Sequence, residues 1–215
     1  MKAATIRVVK LGGSLLGLGQ LPDRIDTWLR DQPLAKTVII VGGGPTVEMV
    51  RRWAARHQWP DRRSHWTAIR AMGNNTHRLA GHWQLVTDLE EAKQDSPSPV
   101  LLEVEATLRA MEESRQDPLP WSWDVTSDSI AARIARELGS SELVLLKSTT
   151  PSSGDPQSLA REGIVDRYFP RVADSLETRV VNLRHVRPRP GGECRGTTVK
   201  PSSTRNRSAG QDGHP

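Results

Sequence analysis

The sequence predicts an α/β protein with a mostly parallel central sheet covered on both faces by helices. Three observations carry this reading. Short apolar runs at residues 6–9, 37–41 and 143–146 are separated by stretches whose apolar residues recur every three or four positions. Strands joined by helical crossovers lie parallel and are covered on both sides. Two of the runs pass directly into glycine turns, Gly12-Gly13 and Gly42-Gly43-Gly44, and two end near a lysine, Lys10 and Lys147.

Residues 6–14 organise the rest. Ile6, Val8 and Val9 suit a short buried strand, Lys10 stands at its end, and Gly12-Gly13-Ser14 follow. Free N–H groups in a glycine turn form an anion-binding concavity, and a lysine beside it adds a mobile positive charge. Residues 15–19 read as a loop, and Pro22 opens a helix carrying Ile25, Trp28 and Leu29. The arrangement then repeats. The run 37–41 enters Gly42-Gly43-Gly44-Pro45, and Val47, Val50, Trp53 and Ala54 continue as a helix whose positive end faces whatever lies over the glycines.

Trp66, Ile69 and Met72, then Leu79, Ala80 and Trp83, predict a helix or a pair of helices interrupted near Gly73-Asn74-Asn75. His65, His77 and His82 fall here with no H-x-x-x-H pair and no cysteine, which argues against zinc; they cap, pack or touch a substrate. Residues 99–104 predict a strand, 106–111 a short helix and 116–120 a loop. Trp121-Ser122-Trp123-Asp124-Val125 leads into a helix through Ile130, Ile134 and Leu138. Thr126 or Ser127 caps it, Asp128 lies in its first turn and Gly139 stops it. A third strand, 143–146, ends at Lys147 and repeats the pattern seen at Lys10. Beyond it, 148–156 is a loop, Tyr168 and Phe169 anchor a turn, and 179–183 alternate as a last strand.

With 215 residues, one domain with a substantial core is expected. The formal charge of +5 is unevenly placed. Residues 184–215 hold seven Lys or Arg against two Asp or Glu, leaving 23 of each sign in residues 1–183. We therefore divide the chain into a neutral body, 1–183, and a basic tail, 184–215, whose composition predicts a solvated, disordered extension rather than a nucleic-acid-binding arm. A single cysteine, Cys194, makes no internal disulfide. No apolar run approaches the roughly 18 residues of a membrane span, so a cytoplasmic protein without membrane association is expected.

In parallel sheets, ligands sit beyond the carboxyl ends of the strands. Lys10 with Gly12, Gly13 and Ser14, the Gly42-Gly43-Gly44 turn, and Lys147 with Ser148 all fall at such ends, so an anionic ligand is expected there. The common nucleotide fingerprints are missing: no G-x-x-x-x-G-K-[ST], no G-x-G-x-x-G and no protein-kinase set occurs. Two lysines and an aspartate around glycine loops suit phosphoryl transfer, which needs positioning and charge neutralisation more than covalent help.

Four stretches in this order resemble the amino acid kinase superfamily, across about residues 5–183. They are Val9-Lys10-Leu11-Gly12-Gly13-Ser14, Val41-Gly42-Gly43-Gly44-Pro45, Thr126-Ser127-Asp128-Ser129-Ile130-Ala131-Ala132 and Leu145-Leu146-Lys147-Ser148. The resemblance implies a three-layer αβα sandwich holding ATP with Mg2+ and a small-molecule acceptor side by side, in a homo-oligomer. It implies that Lys10 and Lys147 neutralise the transferring phosphoryl, that Asp128 holds both lysines, and that Gly12, Gly13, Gly43 and Gly44 donate N–H groups. ATP phosphates would meet Gly12, Gly13, Ser14 and Ser148, and the acceptor Gly42, Gly43, Gly44 and Asp124, with no protein residue assigned as a metal ligand. Ser122-Trp123-Asp124-Val125-Thr126-Ser127-Asp128 and Gly163-Ile164-Val165-Asp166 are most similar to the branch of aminomethylfuran phosphate kinase, of methanofuran biosynthesis. Residues 149–156 lack the V-D-G-[VI]-Y turn that many members use to hold the nucleotide.

Overall fold

A computed structural model describes residues 5–94, 96, 98–112 and 115–189; Cys194 and most of the basic tail lie outside them. Six strands, β1 (Ile6–Leu11), β2 (Lys36–Val41), β3 (Gln84–Val86), β4 (Val100–Leu102), β5 (Glu142–Lys147) and β6 (Thr178–Asn182), form one sheet in the order β3-β4-β2-β1-β5-β6. Every neighbouring pair is parallel.

Side-chain alternation divides the core in two. Val8, Val38, Ile40, Leu143 and Leu145 face a layer that includes α3 (Asp61–His77), α5 (Val104–Glu112), α6 (Ser127–Glu137) and α8 (Phe169–Val172). Their alternates Val9, Leu11, Ile39, Val41, Val144 and Leu146 face α1 (Leu21–Arg30), which contributes Leu21, Ile25 and Trp28. The result is a three-layer αβα sandwich. Ile25 and Ile134 are fully buried, one in each layer. Each contributes roughly 1.5–3 kcal/mol by leaving water.

Three local readings change. The expected break at Gly73-Asn74-Asn75 does not occur: α3 runs unbroken from Asp61 to His77. Asn75 is buried and its amide bonds to another segment, so it has no need to turn its own backbone. The strand expected over 99–104 stops at Leu102 because the Glu103 carboxylate accepts from the N–H groups of Glu105 and Ala106, at 3.2 and 2.7 Å, and starts α5. Short elements absent from the sequence reading are β3, α4 (Leu89–Lys93) and α7 (Pro156–Arg161).

Two features match closely. Thr126 is the N-cap of α6, and Gly139 follows that helix with φ +62°, a conformation suited to glycine. Past residue 183 the chain stays against the body as far as it is described. Arg24 donates to the Val186 carbonyl, Arg189 N–H donates to Thr27 Oγ1 at 3.2 Å, and the Arg189 guanidinium lies 3.1 Å from Asp31. No described helix is long and apolar enough to cross a membrane.

Candidate active site

Strand parity brings the two lysines together. Lys10 lies two residues beyond Val8 on β1, and Lys147 two beyond Leu145 on β5, so both point to the α6 face. Lys10 pairs in register with Leu145, which leaves Lys147 further along the adjacent strand by two residues, about 7 Å. Asp128, in the first turn of α6, fills that interval. Its Oδ1 lies 2.8 Å from Lys10 Nζ and 2.8 Å from Lys147 Nζ, and its Oδ2 accepts from Lys147 at 2.9 Å. Lys147 also donates to the Ile164 carbonyl at 2.6 Å. All three side chains are buried.

This cluster holds two ammonium groups against one carboxylate. Burial pushes the Asp128 carboxyl up, but the charges and hydrogen bonds of Lys10 and Lys147 outweigh it and hold the group below the usual carboxylate range. For Lys147, burial and then the neighbouring Lys10 charge lower the ammonium to about 8, against the opposing pull of Asp128. An anion arriving here relieves the repulsion between the lysines.

The glycine turns meet each other. A β-carbon on Gly13 would come within 2.0 Å of Gly44 N, and one on Gly44 within 2.6 Å of Gly13 O, while Gly44 itself has φ +54°. Only glycine permits this backbone-on-backbone contact. Gly12 departs from its expected part. Its N–H donates to Leu146 O at 2.8 Å and extends the sheet ladder, so it is not offered to an anion. Gly42 N–H is likewise taken by Leu11 O at 2.9 Å. The N–H groups of Gly13, Gly43 and Gly44 have no acceptor among the described residues.

Asn75 fixes the second turn. Its Nδ2 donates to the carbonyls of Gly42 and Gly43 at 3.1 and 2.9 Å, tying α3 to the end of β2. Ser14 Oγ and Ser148 Oγ lie 3.0 Å apart and join the turns after β1 and β5. Sequence reasoning placed both serines but not Asn75, whose long-range contacts leave no periodic trace.

A cavity of about 840 Å³ opens beside this cluster. Lys10, Asp128, Gly13, Ser14, Gly43 and Gly44 line it on the side of the cluster; α2 (Gly44–Arg56), α3 and the 121–125 segment form its walls. Four large apolar side chains are exposed among the described residues, and three of them, Met49, Trp53 and Trp121, line this cavity. Arg51 stacks on Trp123 at 4.9 Å and Arg62 on Trp121 at 5.2 Å, bracing the 121–125 segment against α2 and α3. His65 also lines the cavity, with its ring edge on Trp66. Burial lowers its imidazole to about 4, so it is neutral near pH 7.

Asp124 stands apart from the lysines. Its carboxylate is exposed and 3.9 Å from Arg167, whereas its neighbours Trp123 and Val125 line the cavity. Neither Lys147 nor Ser148 lines the cavity; they reach it through Asp128 and Ser14, which do.

Among the described residues no group of three or more His, Cys, Asp or Glu is placed to hold a metal ion. Both Asp128 oxygens are already engaged by lysines.

No family model matches the sequence, and no curated protein matches it. Solved structures do. A uridylate kinase from Archaeoglobus fulgidus aligns over 81% of this chain and 89% of its own, at TM-score 0.57 and 16% identity. The UMP kinase of Ureaplasma parvum aligns over 86% and 91%, at TM-score 0.55 and 12% identity. An aspartate kinase from Synechocystis aligns over 86% of this chain but 39% of its own, at TM-score 0.52 and 13% identity. The chain has the fold of these kinases. At such identities the match concerns architecture, and the chemistry rests on the residues at the sheet edge.

Proposed function

We propose that this protein is an ATP-dependent kinase that transfers the γ-phosphoryl group to a phosphate or carboxylate oxygen of a small acceptor. The observation that carries the reading is the closure of Lys10 and Lys147 on one buried carboxylate at the carboxyl ends of adjacent strands. A transferring phosphoryl spreads negative charge over its equatorial oxygens, and preorganised ammonium groups stabilise it without reorganising.

In this reading the acceptor occupies the cavity and the nucleotide lies over Ser148 and Ser14. Lys10 lines the cavity and so is assigned to the acceptor side, and Lys147, which does not line it, is assigned to the nucleotide. The bond from the γ-phosphorus to the β,γ-bridging oxygen breaks as the bond to the acceptor oxygen forms. Lys147 neutralises charge on the leaving side and Lys10 on the entering side, while Asp128 holds both in place. Gly13, Gly43 and Gly44 offer N–H groups to the phosphoryl oxygens. Bound Mg2+ would add charge neutralisation on the nucleotide phosphates. An acceptor that is already an anion needs no general base, which agrees with a His65 imidazole lowered to about 4, too weak a base to take up a proton near pH 7.

The resemblance of residues 122–128 and 163–166 to the aminomethylfuran phosphate kinase branch makes phosphomonoesters, converted to diphosphates, the first acceptors to test. Incubation with ATP and Mg2+ across phosphomonoesters and carboxylates, read by mass spectrometry, should give an acceptor 80 Da heavier together with ADP. The K10M variant should give neither. Product formation that survives K10M would sink the assignment.

A further inference from the structure

The Gly163-Ile164-Val165-Asp166 turn stands outside the chemistry described above, and its last residue is unusually committed. One carboxylate, Asp166, accepts six hydrogen bonds. Oδ2 takes Thr126 N–H at 2.9 Å, Thr126 Oγ1 at 2.8 Å and Ser129 N–H at 3.0 Å. Oδ1 takes Ser129 Oγ at 2.5 Å, Tyr168 N–H at 3.2 Å and Phe169 N–H at 2.9 Å. The N-cap Thr126 and the α6 residue Ser129 that it grips flank Ser127 and Asp128, so Asp166 fixes the backbone on either side of the carboxylate between the lysines.

The same turn holds the other partner. Two residues earlier, the Ile164 carbonyl accepts from Lys147 Nζ at 2.6 Å, opposite the Asp128 contact. Helix α8, whose N-cap is Tyr168, anchors the turn through buried Phe169 and Val172. Thus one short segment sets both ends of the Lys147–Asp128 pair: it grips the backbone of one partner and the ammonium of the other. A carboxylate serves because four of its six donors are backbone N–H groups at a helix start, which favour negative charge.

We infer that Asp166 is a positioning residue for phosphoryl transfer, holding Asp128 and Lys147 in register through the 164–166 turn while touching neither substrate nor either of those side chains. The inference rests on the kinase reading for its effect on turnover, but not for its effect on Lys147. Misplacement of a catalytic group by about 1 Å costs on the order of a hundredfold in rate. An amide in place of the carboxylate brings an NH2 group against N–H donors, so the grip fails while the volume is kept.

Two measurements on D166N test it, both well below the variant's melting temperature. First, kcat with ATP and an acceptor from the screen should fall at least about thirtyfold, with KM for ATP within about threefold of the parent. Second, in protein labelled with 13C-lysine, the Lys147 methylene resonance, assigned by its loss in K147R, should move in D166N. S129A, which removes only the 2.5 Å bond, should move it in the same direction by less, and serves if D166N does not fold. Full turnover per folded molecule, or an unmoved Lys147 resonance in both variants, would overturn the inference. A moved resonance in a protein that transfers no phosphoryl to any acceptor would instead overturn the kinase reading and leave the positioning of Lys147 standing.

Discussion

Lys10 and Lys147 stand on neighbouring strands two residues out of register and close on the same oxygen of Asp128, each at 2.8 Å. Two buried like charges so placed favour an anion between them more than they favour the empty fold. Replacing either by Met should therefore lower turnover by at least about a hundredfold, the size of effect seen when one preorganised charge-stabilising group is lost. Steady-state kinetics with thermal melts on K10M and K147M check this. Near-normal turnover in K10M would place the chemistry elsewhere.

Asp128 and Asp124 should behave differently. D128N keeps the shape but removes the charge that holds both lysines, and is expected to reduce turnover with a modest change in ATP affinity. Asp124 is exposed and belongs to the segment that walls the cavity, so D124N should act on the apparent affinity for the acceptor if it acts at all. Kinetics on both variants decide the matter: a severe turnover defect in D124N beside a near-silent D128N would reverse the roles.

The pH dependence follows from Lys147. Its ammonium is lowered to about 8 from an ordinary 10.5. As the charged form is the one that neutralises a phosphoryl group, kcat/KM for ATP should fall as pH rises through about 8, with a slope of one proton. Stability runs the other way. Between about 8 and 10.5 the unfolded chain binds the extra proton, so this residue's contribution to folding increases across that window and is smallest below 8. Rate and melting temperature measured from pH 6.5 to 10 separate the two trends; a flat kcat/KM to pH 10 would exclude a charged Lys147 from the reaction.

Backbone contact between the glycine turns makes Gly13 intolerant of any side chain. A methyl group 2.0 Å from Gly44 N forces the two turns apart. G13A should lose about 2 kcal/mol or more of stability, in the range of overpacked cores, and lose transfer activity with it. Gly17, whose added β-carbon meets nothing within 4 Å, is the control, and G17A should melt close to the parent. Equal melting of G13A and the parent would contradict the close approach.

Removal of the basic tail should be harmless only when the cut falls late enough. Val186 packs against the α1 layer, and Arg189 bonds to Thr27 on α1 and to Asp31 just after it. A chain ending at Arg189 should melt within about 2 °C of the parent. One ending at Arg184 should lose roughly 2–8 °C, the shift that about 1–2 kcal/mol produces in a domain of this size. Calorimetry on the two truncations reads this directly, and identical melting would show the 186–189 contacts to be idle.

Much of the sheet and the lysine–aspartate cluster was legible because both depend on local pattern. Apolar alternation places Val8 and Lys10 on one face and Leu145 and Lys147 on the corresponding face of another strand, and a helix cap places Asp128. What escaped depends on contacts between distant segments. Gly73-Asn74-Asn75 has turn-forming composition, but Asn75 spends its amide on Gly42 and Gly43, more than thirty positions away, and α3 continues. Gly12 looks like an anion donor until Leu146 O, on another strand, takes its N–H. The three residues of β3 are too few to show a period. His65 becomes meaningful only when α2, α3 and the 121–125 segment enclose it, and Asp166 only when the turn it belongs to folds back on α6.

The cavity and the buried cluster beside it are built largely from different elements. The lysine–aspartate cluster beside it sits on β1, β5 and the start of α6, whereas the walls come from α2, α3 and the 121–125 segment, with Trp53 and Trp121 partly in water. Wall residues can therefore be exchanged without disturbing the lysine pair, and the exposed ones at small risk to folding. Under the proposed kinase reading, acceptor choice and transfer could therefore be varied separately: libraries at positions 49, 53 and 121 would explore new acceptors with the lysine–aspartate cluster unchanged.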